Sequence, residues 1–431
     1  MNDIRLSRRH FLRLGAGTIV VVGLGACSSS GANDSGPLGT AGPLGTTRSS
    51  VPGSSVPGSS VPAGSTVPGA AGARRLVIVQ LNGGNDGLNT LIPHDGRYHD
   101  ARPSLAIADA DLVGLAGTSE VSFHPGLAAL APMWTAGKLA VVRGIGFSNP
   151  NRSHFVSMDR WWRADDVHAP GWLGRVLDSM ASEPAPLYAT SLGGGAPLLS
   201  GAHRQGAAVG SAGGFTFGAL DPRAIGALSA PASAVPLVAL AQHSFARTVG
   251  AVADFDKAMK SPDATGDTTD SEREGGATLV GGLDLAAKLL VSDAGTQIVV
   301  VSASGFDTHS NQAPTQAKLL TDLAAGVSKF FDEMTAAKLD VLLVTASEFG
   351  RRVQENGSAG TDHGAGNVSF VAGPGVKGGL YGEMDLGDLL DGDLRPNVDP
   401  RVMYTACLDW IGADPVAVLG KRYDDVKLLS V

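Results

Sequence analysis

Residues 76–87 read Leu76-Val77-Ile78-Val79-Gln80-Leu81-Asn82-Gly83-Gly84-Asn85-Asp86-Gly87. A continuous run rich in β-branched residues that stops at a polar, glycine-rich turn is the pattern of a strand buried on both faces. The same pattern recurs along the chain. Leu139 to Arg143 runs into Gly144-Ile145-Gly146, and Gln297 to Val301 leads to Gly305-Phe306-Asp307-Thr308-His309. Val341 to Thr345 leads to Ser347-Glu348-Phe349-Gly350, and Val368 to Val371 follows Thr361-Asp362-His363-Gly364. Helical patterns lie between the runs. The clearest is Ala313 to Ala337, where Leu319, Leu320, Leu323, Val327, Phe330, Phe331 and Met334 recur at helical spacing. Strands alternating with helices predict an α/β fold of three layers, α/β/α, around a mainly parallel central sheet.

The ends of the chain have a different character. Ser7-Arg8-Arg9-His10-Phe11-Leu12 precedes a Gly/Ala/Val-rich stretch that closes on Leu24-Gly25-Ala26-Cys27. The stretch is too short and too glycine-rich for a membrane span. It resembles a twin-arginine export signal ending in a lipobox, which implies passage through the twin-arginine translocase and lipidation of Cys27. Residues 28–73 contain Gly-Pro-Leu-Gly-Thr twice and Val-Pro-Gly-Ser-Ser twice with almost no charge. Such a tract has too little apolar surface to offset the entropy of ordering, so a disordered stalk is expected there. The predicted organisation is a signal over 1–27, a stalk over 28–73 and one folded domain over 74–431. The protein is expected at the extracytoplasmic face of the cell membrane, held there by its lipid.

Composition narrows the function. The 431-residue chain has net charge -8, only 17% charged residues and 59 glycines. It carries no basic stripe, which excludes nucleic acid as a partner. With Cys27 assigned to lipid, Cys407 has no partner thiol, and its apolar surroundings from Tyr404 to Trp410 mark it as buried. The polar tract from Ser261 to Gly275 reads as a surface excursion, and the Gly/Ala-rich stretch from Leu192 to Ala241 has no assignable pattern.

The functional signal is the position of the polar residues. Open α/β sheets bind ligands outside the carboxyl ends of their strands. Asp86, Asp307, His309 and Glu348 follow strands, and Asp362 and His363 lie in the loop before one. Imidazoles and carboxylates gathered at one sheet edge suit a divalent metal: zinc, manganese or iron for mixed donors, calcium or magnesium for oxygen subsets. Taken singly, each also has an ordinary reading: turn chemistry for Asp307, a loop histidine for His363, and a local ion pair of Glu348 with Arg351 or Arg352.

Five segments carry a family resemblance: LNGGNDGLNTLIPHDGRYHDARPSLAI (81–107), NRSHFVSMD (151–159), FDTHSNQ (306–312), VTASEFGRRVQENGSAGTDHGAGN (344–367) and GPGVKGGLYGE (373–383). They resemble the signatures of the bacterial domain of unknown function 1501 family, which is grouped with the alkaline phosphatase and sulfatase superfamily. The likeness runs from Arg74 to Leu429 with the motifs in the family's order. It implies an alkaline-phosphatase-like fold and a divalent metal site, with zinc, manganese or calcium as candidates. Asp86, Asp307, His309, Glu348 and His363 are the implied ligands, and Asn82 stands where the superfamily has its first metal carboxylate. Ser153, within Arg-Ser-His-Phe, is the implied nucleophile, with Ser148 of Ser-Asn-Pro-Asn-Arg as the alternative. Glu348-Phe349 replaces the Asp-His pair of phosphatases, keeping the carboxylate and losing the imidazole.

In this reading Arg152, Arg351 or Arg352 supplies a cation for developing charge, and His154 holds a leaving group or the helix start. Two functions follow. One is a membrane-anchored, metal-dependent hydrolase of phosphate or sulfate esters. The other is a non-catalytic surface protein whose cleft binds a glycan, polymer or partner protein. Asp307, His309, Glu348 and His363 favour the first, and Asn82 and Phe349 favour the second.

Overall fold

The run 76–81 lies inside an eight-stranded sheet. The computed structural model describes residues 74–195, 197–210, 234–260 and 278–430. The signal, Cys27, the stalk and the excursion at 261–275 therefore lie outside the described residues. The strands are β1 (Arg75–Leu81), β2 (Leu91–Pro93), β3 (Val113–Gly114), β4 (Val121–Phe123), β5 (Leu139–Ile145), β6 (Ala189–Leu192) and β7 (Ala207–Val209). They continue with β8 (Ile298–Ala303), β9 (Val341–Ala346), β10 (Asn367–Ala372), β11 (Gly379–Tyr381), β12 (Leu389–Leu390) and β13 (Asp393–Leu394). The main sheet has the order β11-β5-β10-β9-β1-β8-β6-β7, with β2-β4-β3 and β12-β13 as small satellites.

Each buried run places alternate side chains on opposite faces. Val77, Val79 and Leu81 of β1 join one core with Leu283, Leu290, Leu323, Val327 and Phe330 of the helices Leu279–Val291 and Gln312–Ala336. Leu76 and Ile78 join a second core with Trp161, Trp172, Leu173, Tyr404 and Leu408 of the helices His154–Arg163, Trp172–Ser179 and Pro400–Ile411. Helices thus cover both faces of the sheet, giving three α/β/α layers. Cys407 is fully buried in the second core, and burial pushes its thiol pKa up.

One strand runs against the rest. β1 pairs parallel with both β8 and β9, whereas β10 pairs antiparallel with β9 and with β5. Two reversals leave β5 pointing the same way as β1, β8 and β9. The loops after β1, β5, β8 and β9 and the loop before β10 therefore meet at one sheet edge. The sequence reading missed β6, β7 and β11, short strands at the two flanks of the sheet. β6 and β7 border a Gly/Ala-rich stretch whose backbone pairs without a run of large apolar side chains to mark it.

Candidate metal site

At that edge the Gly83-Gly84 turn after β1 lies against the other loops. A Cβ on Gly83 would fall 2.3 Å from the backbone nitrogen of Asp307, and its φ is +120. A Cβ on Gly84, at φ +79, would fall 2.4 Å from the ring of Phe349. Only glycine permits both the positive φ and this approach, so the pair lets the loops bearing Asp307 and Phe349 close together.

Asp307 is the centre of the arrangement. Nε2 of His309 lies 3.0 Å and Nε2 of His363 3.1 Å from its Oδ1, and Nε2 of His154 lies 3.5 Å from its Oδ2. Ligand atoms of His154, Asp307 and His363 all fall within 4.8 Å of one another. His309 joins them through an Nε2 to Nε2 separation of 2.9 Å from His363.

The other nitrogen of each ring is held from behind. Nδ1 of His154 is 2.8 Å from Glu348 Oε1, Nδ1 of His309 is 3.2 Å from Asp362 Oδ1, and Nδ1 of His363 is 2.8 Å from the carbonyl of Arg152. Carboxylate and carbonyl oxygens only accept, so each Nδ1 carries the hydrogen and each Nε2 keeps a lone pair when the ring is neutral. The lone pairs of His309 and His363 then face each other across 2.9 Å, an arrangement that calls for a proton or a cation between them. Imidazoles fixed through the far nitrogen by carboxylate or carbonyl, with an ionised carboxylate in their midst, are a donor set that fits a divalent metal.

The electrostatics agree. Partial burial works against the charge of Asp307, but the hydrogen bond and charge of Arg351, with the imidazoles of His363 and His309 beside it, outweigh it and bring its pKa down to about 2. The hydrogen bond from Asn356, aided by His309, lowers that of Asp362. Phe349, 3% exposed, packs its ring against His154 and His363 at centroid distances of 4.9 and 4.6 Å. It forms an apolar wall at the position where the resemblance expects an imidazole.

Several expected roles need correction. Asp86, the implied first metal carboxylate, does not reach the cluster. It is 2% exposed and held bidentately by the fully buried Arg102 at 2.6 and 3.0 Å, with Gln312 donating to its Oδ2. Glu348 stands behind His154 instead of beside Asp307, its Oε1 also accepting from the Gly83 N–H at 2.8 Å. Arg351 is a buried brace: its donors reach the carbonyls of Gly83, Gly84, Phe306 and Thr361, and Asp307 at 2.6 Å. The Arg152 guanidinium is paired with the buried Asp393, and that of Arg352 donates to the Asp391 carbonyl. Arg351 is enclosed, whereas the side chains of Arg152 and Arg352 remain partly exposed.

Ser153 caps the helix His154–Arg163, and its hydroxyl makes no hydrogen bond among the described residues. Ser148 is exposed in the loop before it. The sequence reading assigned His154 to catalysis, whereas its ring joins the donor set. Its position at the first turn of a helix following β5 was the available signal.

The sequence signature described as "Protein of unknown function (DUF1501)" matches residues 141–423. No curated protein matches the chain. Among solved structures, it is similar to the zinc complex of the C-terminal periplasmic domain of EcEptC from Escherichia coli, at 11% identity and TM-score 0.36, over 83% of this chain and 89% of that one. A protein in the alkaline phosphatase superfamily from Vibrio parahaemolyticus matches at 10% identity and TM-score 0.34, over 82% and 71%. The lipoteichoic acid synthase LtaP from Listeria monocytogenes matches at 10% identity and TM-score 0.31, over 84% and 75%.

Proposed function

This chain belongs to the DUF1501 family, and from its site we propose that it is a metal-dependent hydrolase of phosphate or sulfate esters, exported and lipid-anchored. The observation that carries the reading is the set of Nε2 atoms turned on Asp307, each ring fixed through Nδ1. His154, His309, His363 and Asp307 would hold the ion. A donor set this rich in imidazole suits zinc ahead of manganese and disfavours calcium, which takes oxygen ligands. When bound, the ion supplies polarisation of an ester oxygen and a lowered pKa for a coordinated hydroxyl or water.

The chain's own residues do the rest. One carboxylate among neutral imidazoles leaves a dication site with net positive charge, which favours an anionic ester. The first N–H groups of the helix after Ser153 have no intrahelical partner and add the positive end of its dipole. Ser153 presents an uncommitted hydroxyl next to His154, and Glu348 keeps His154 in the tautomer that leaves Nε2 free. Phe349 covers one side of the imidazoles against water.

The test is metal analysis of the purified protein, followed by turnover of an aryl phosphate or aryl sulfate. Stoichiometric zinc or manganese that is lost in His154→Ala and His363→Ala, with turnover lost in Ser153→Ala, is the expected result. Metal without turnover would favour the second reading, a non-catalytic surface protein whose cleft binds a glycan, polymer or partner protein, which Phe349 in place of an imidazole supports. No helix among the described residues is long and apolar enough to cross a membrane. Export through the twin-arginine translocase and anchoring through Cys27 are part of this proposal on the sequence of residues 7–27, and Cys27→Ala should release the protein from membranes.

A further inference from the structure

Between β5 and the helix that carries His154 the chain is irregular, yet the carbonyl of Arg152 in this stretch holds a ring of the metal site. Side chains anchor the stretch. Arg160 grips Asn149 through its carbonyl and Oδ1 at 2.7 and 2.6 Å, and Ser157 donates to the Asn151 carbonyl. The anchor of Arg152 itself is Asp393, at the start of β13, which accepts from Nε and Nη2 at 3.0 and 2.5 Å.

Asp393 is an unusual residue to find as a plain fold contact. Its side chain is fully buried, while that of Arg152 remains 42% exposed. Both arginine bonds go to Oδ2; Oδ1 has no hydrogen-bond partner among the described residues, and Arg352 Nη1 is 3.8 Å away. Burial accordingly raises the Asp393 pKa. A buried, half-satisfied ion pair is a poor source of stability compared with apolar packing of the same volume. What it does provide is a fixed position. Asp393 bridges to Arg352 through the backbone, and the next residue back, Arg351, bridges to His363 in the same way. Asp393 thus touches the site along two routes, through its carboxylate to Arg152 and through the backbone of Arg352.

We propose that Asp393 is a positioning residue of the metal site: through Arg152 it fixes the carbonyl that keeps His363 in its Nδ1–H form with Nε2 aimed at Asp307. The inference rests on the metal-site reading and adds to it an outer partner 30 residues beyond His363 in the sequence. Loss of a group that holds the far nitrogen of a ligating histidine, as the Arg152 carbonyl holds His363, typically weakens metal binding by about 10–100-fold.

The test is a cobalt(II) titration of the full-length protein, followed by visible absorption, for wild type, Asp393→Asn and Arg152→Lys. Asp393→Asn keeps the shape and removes the charge; Arg152→Lys keeps the charge and removes the fork, and serves if the first variant does not fold. The expected result is a cobalt Kd raised by about 10-fold or more in each folded variant, with an altered cobalt absorption band. A simple structural role would lower the melting temperature and leave both cobalt readouts unchanged in the folded protein; that result overturns the proposal. Absence of cobalt binding in the wild type would instead overturn the metal-site reading itself.

Discussion

Asp86 and Asp307 occupy equivalent places in the fold and live in opposite surroundings. Each follows one of two neighbouring parallel strands, β1 and β8, in a glycine-containing loop at the same sheet edge. Each is held by an arginine that is itself fully buried, Arg102 for Asp86 and Arg351 for Asp307. Asp86 is sealed in with its partner, the two side chains 1% and 0% exposed. Asp307 keeps its side chain 48% exposed and shares it with imidazoles. The position of an aspartate after a strand is therefore a poor guide to its chemistry. The second layer of partners decides whether a carboxylate cements loops together or stays available to a ligand.

The comparison can be broken most severely at the sealed pair. Arg102→Met leaves the Asp86 carboxylate buried without its cation, and should cost about 3–5 kcal/mol of folding stability in a urea titration. Joint replacement, Asp86→Leu with Arg102→Met, should recover a large part of that loss. A loss below about 1 kcal/mol in the single variant would mean that Asp86 is solvated and free to act as a ligand.

At the open aspartate the expected effects are reversed. Asp307→Asn should weaken zinc binding by at least about 10-fold, as read by chelator competition, and cost only about 1 kcal/mol of stability. Its acid response sharpens the point. The folded pKa is depressed to about 2, so the stabilisation from the Asp307 charge is complete above the ordinary carboxylate value of about 4 and falls away as pH drops towards 2. The metal-free Asp307→Asn protein should therefore lose stability less steeply than wild type across that window. Equal slopes would show that Arg351 does not hold the charge.

The smallest expected effect is at the surface beside the site. Phe155 is 89% exposed directly after His154, and Phe155→Ser should change the melting temperature by no more than about 0.5 kcal/mol of stability would produce. A larger fall would mean that the ring packs on a surface of the protein in solution.

Much of the fold was legible because buried strands and an amphipathic helix leave periodic signals. The runs at 76–81, 139–143, 297–301, 341–345 and 368–371 all lie within or at the edges of sheet strands, and Ala313 to Ala337 is offset by one residue from the helix Gln312–Ala336. The antiparallel direction of β10 was not legible, because apolar content is indifferent to strand direction. That reversal is why Asp362 and His363, in a loop before a strand, share an edge with Asp307 and His309, in a loop after one. The outer partners were equally hidden. Nothing local in the sequence pairs Asp86 with Arg102, places Glu348 behind His154 at a separation of 194 residues, or sets His363 on the Arg152 carbonyl at 211. Those contacts depend on how loops from different strands stack.

The reversed strand also bears on the order in which the molecule assembles. β9 and β10 are antiparallel neighbours joined directly, so Glu348, Phe349, Arg351, Asp362 and His363 sit on one excursion that leaves and re-enters the sheet at the same edge. Closing that excursion has a modest entropic cost, whereas His154 must be brought in from the far side of the chain. Of the four donors, His363 lies on that excursion, and the other three come from the segments after β5 and β8. A metal ion therefore has a complete set of donors only after β5, β8 and β10 have all docked, and loading is expected to follow folding as its last step.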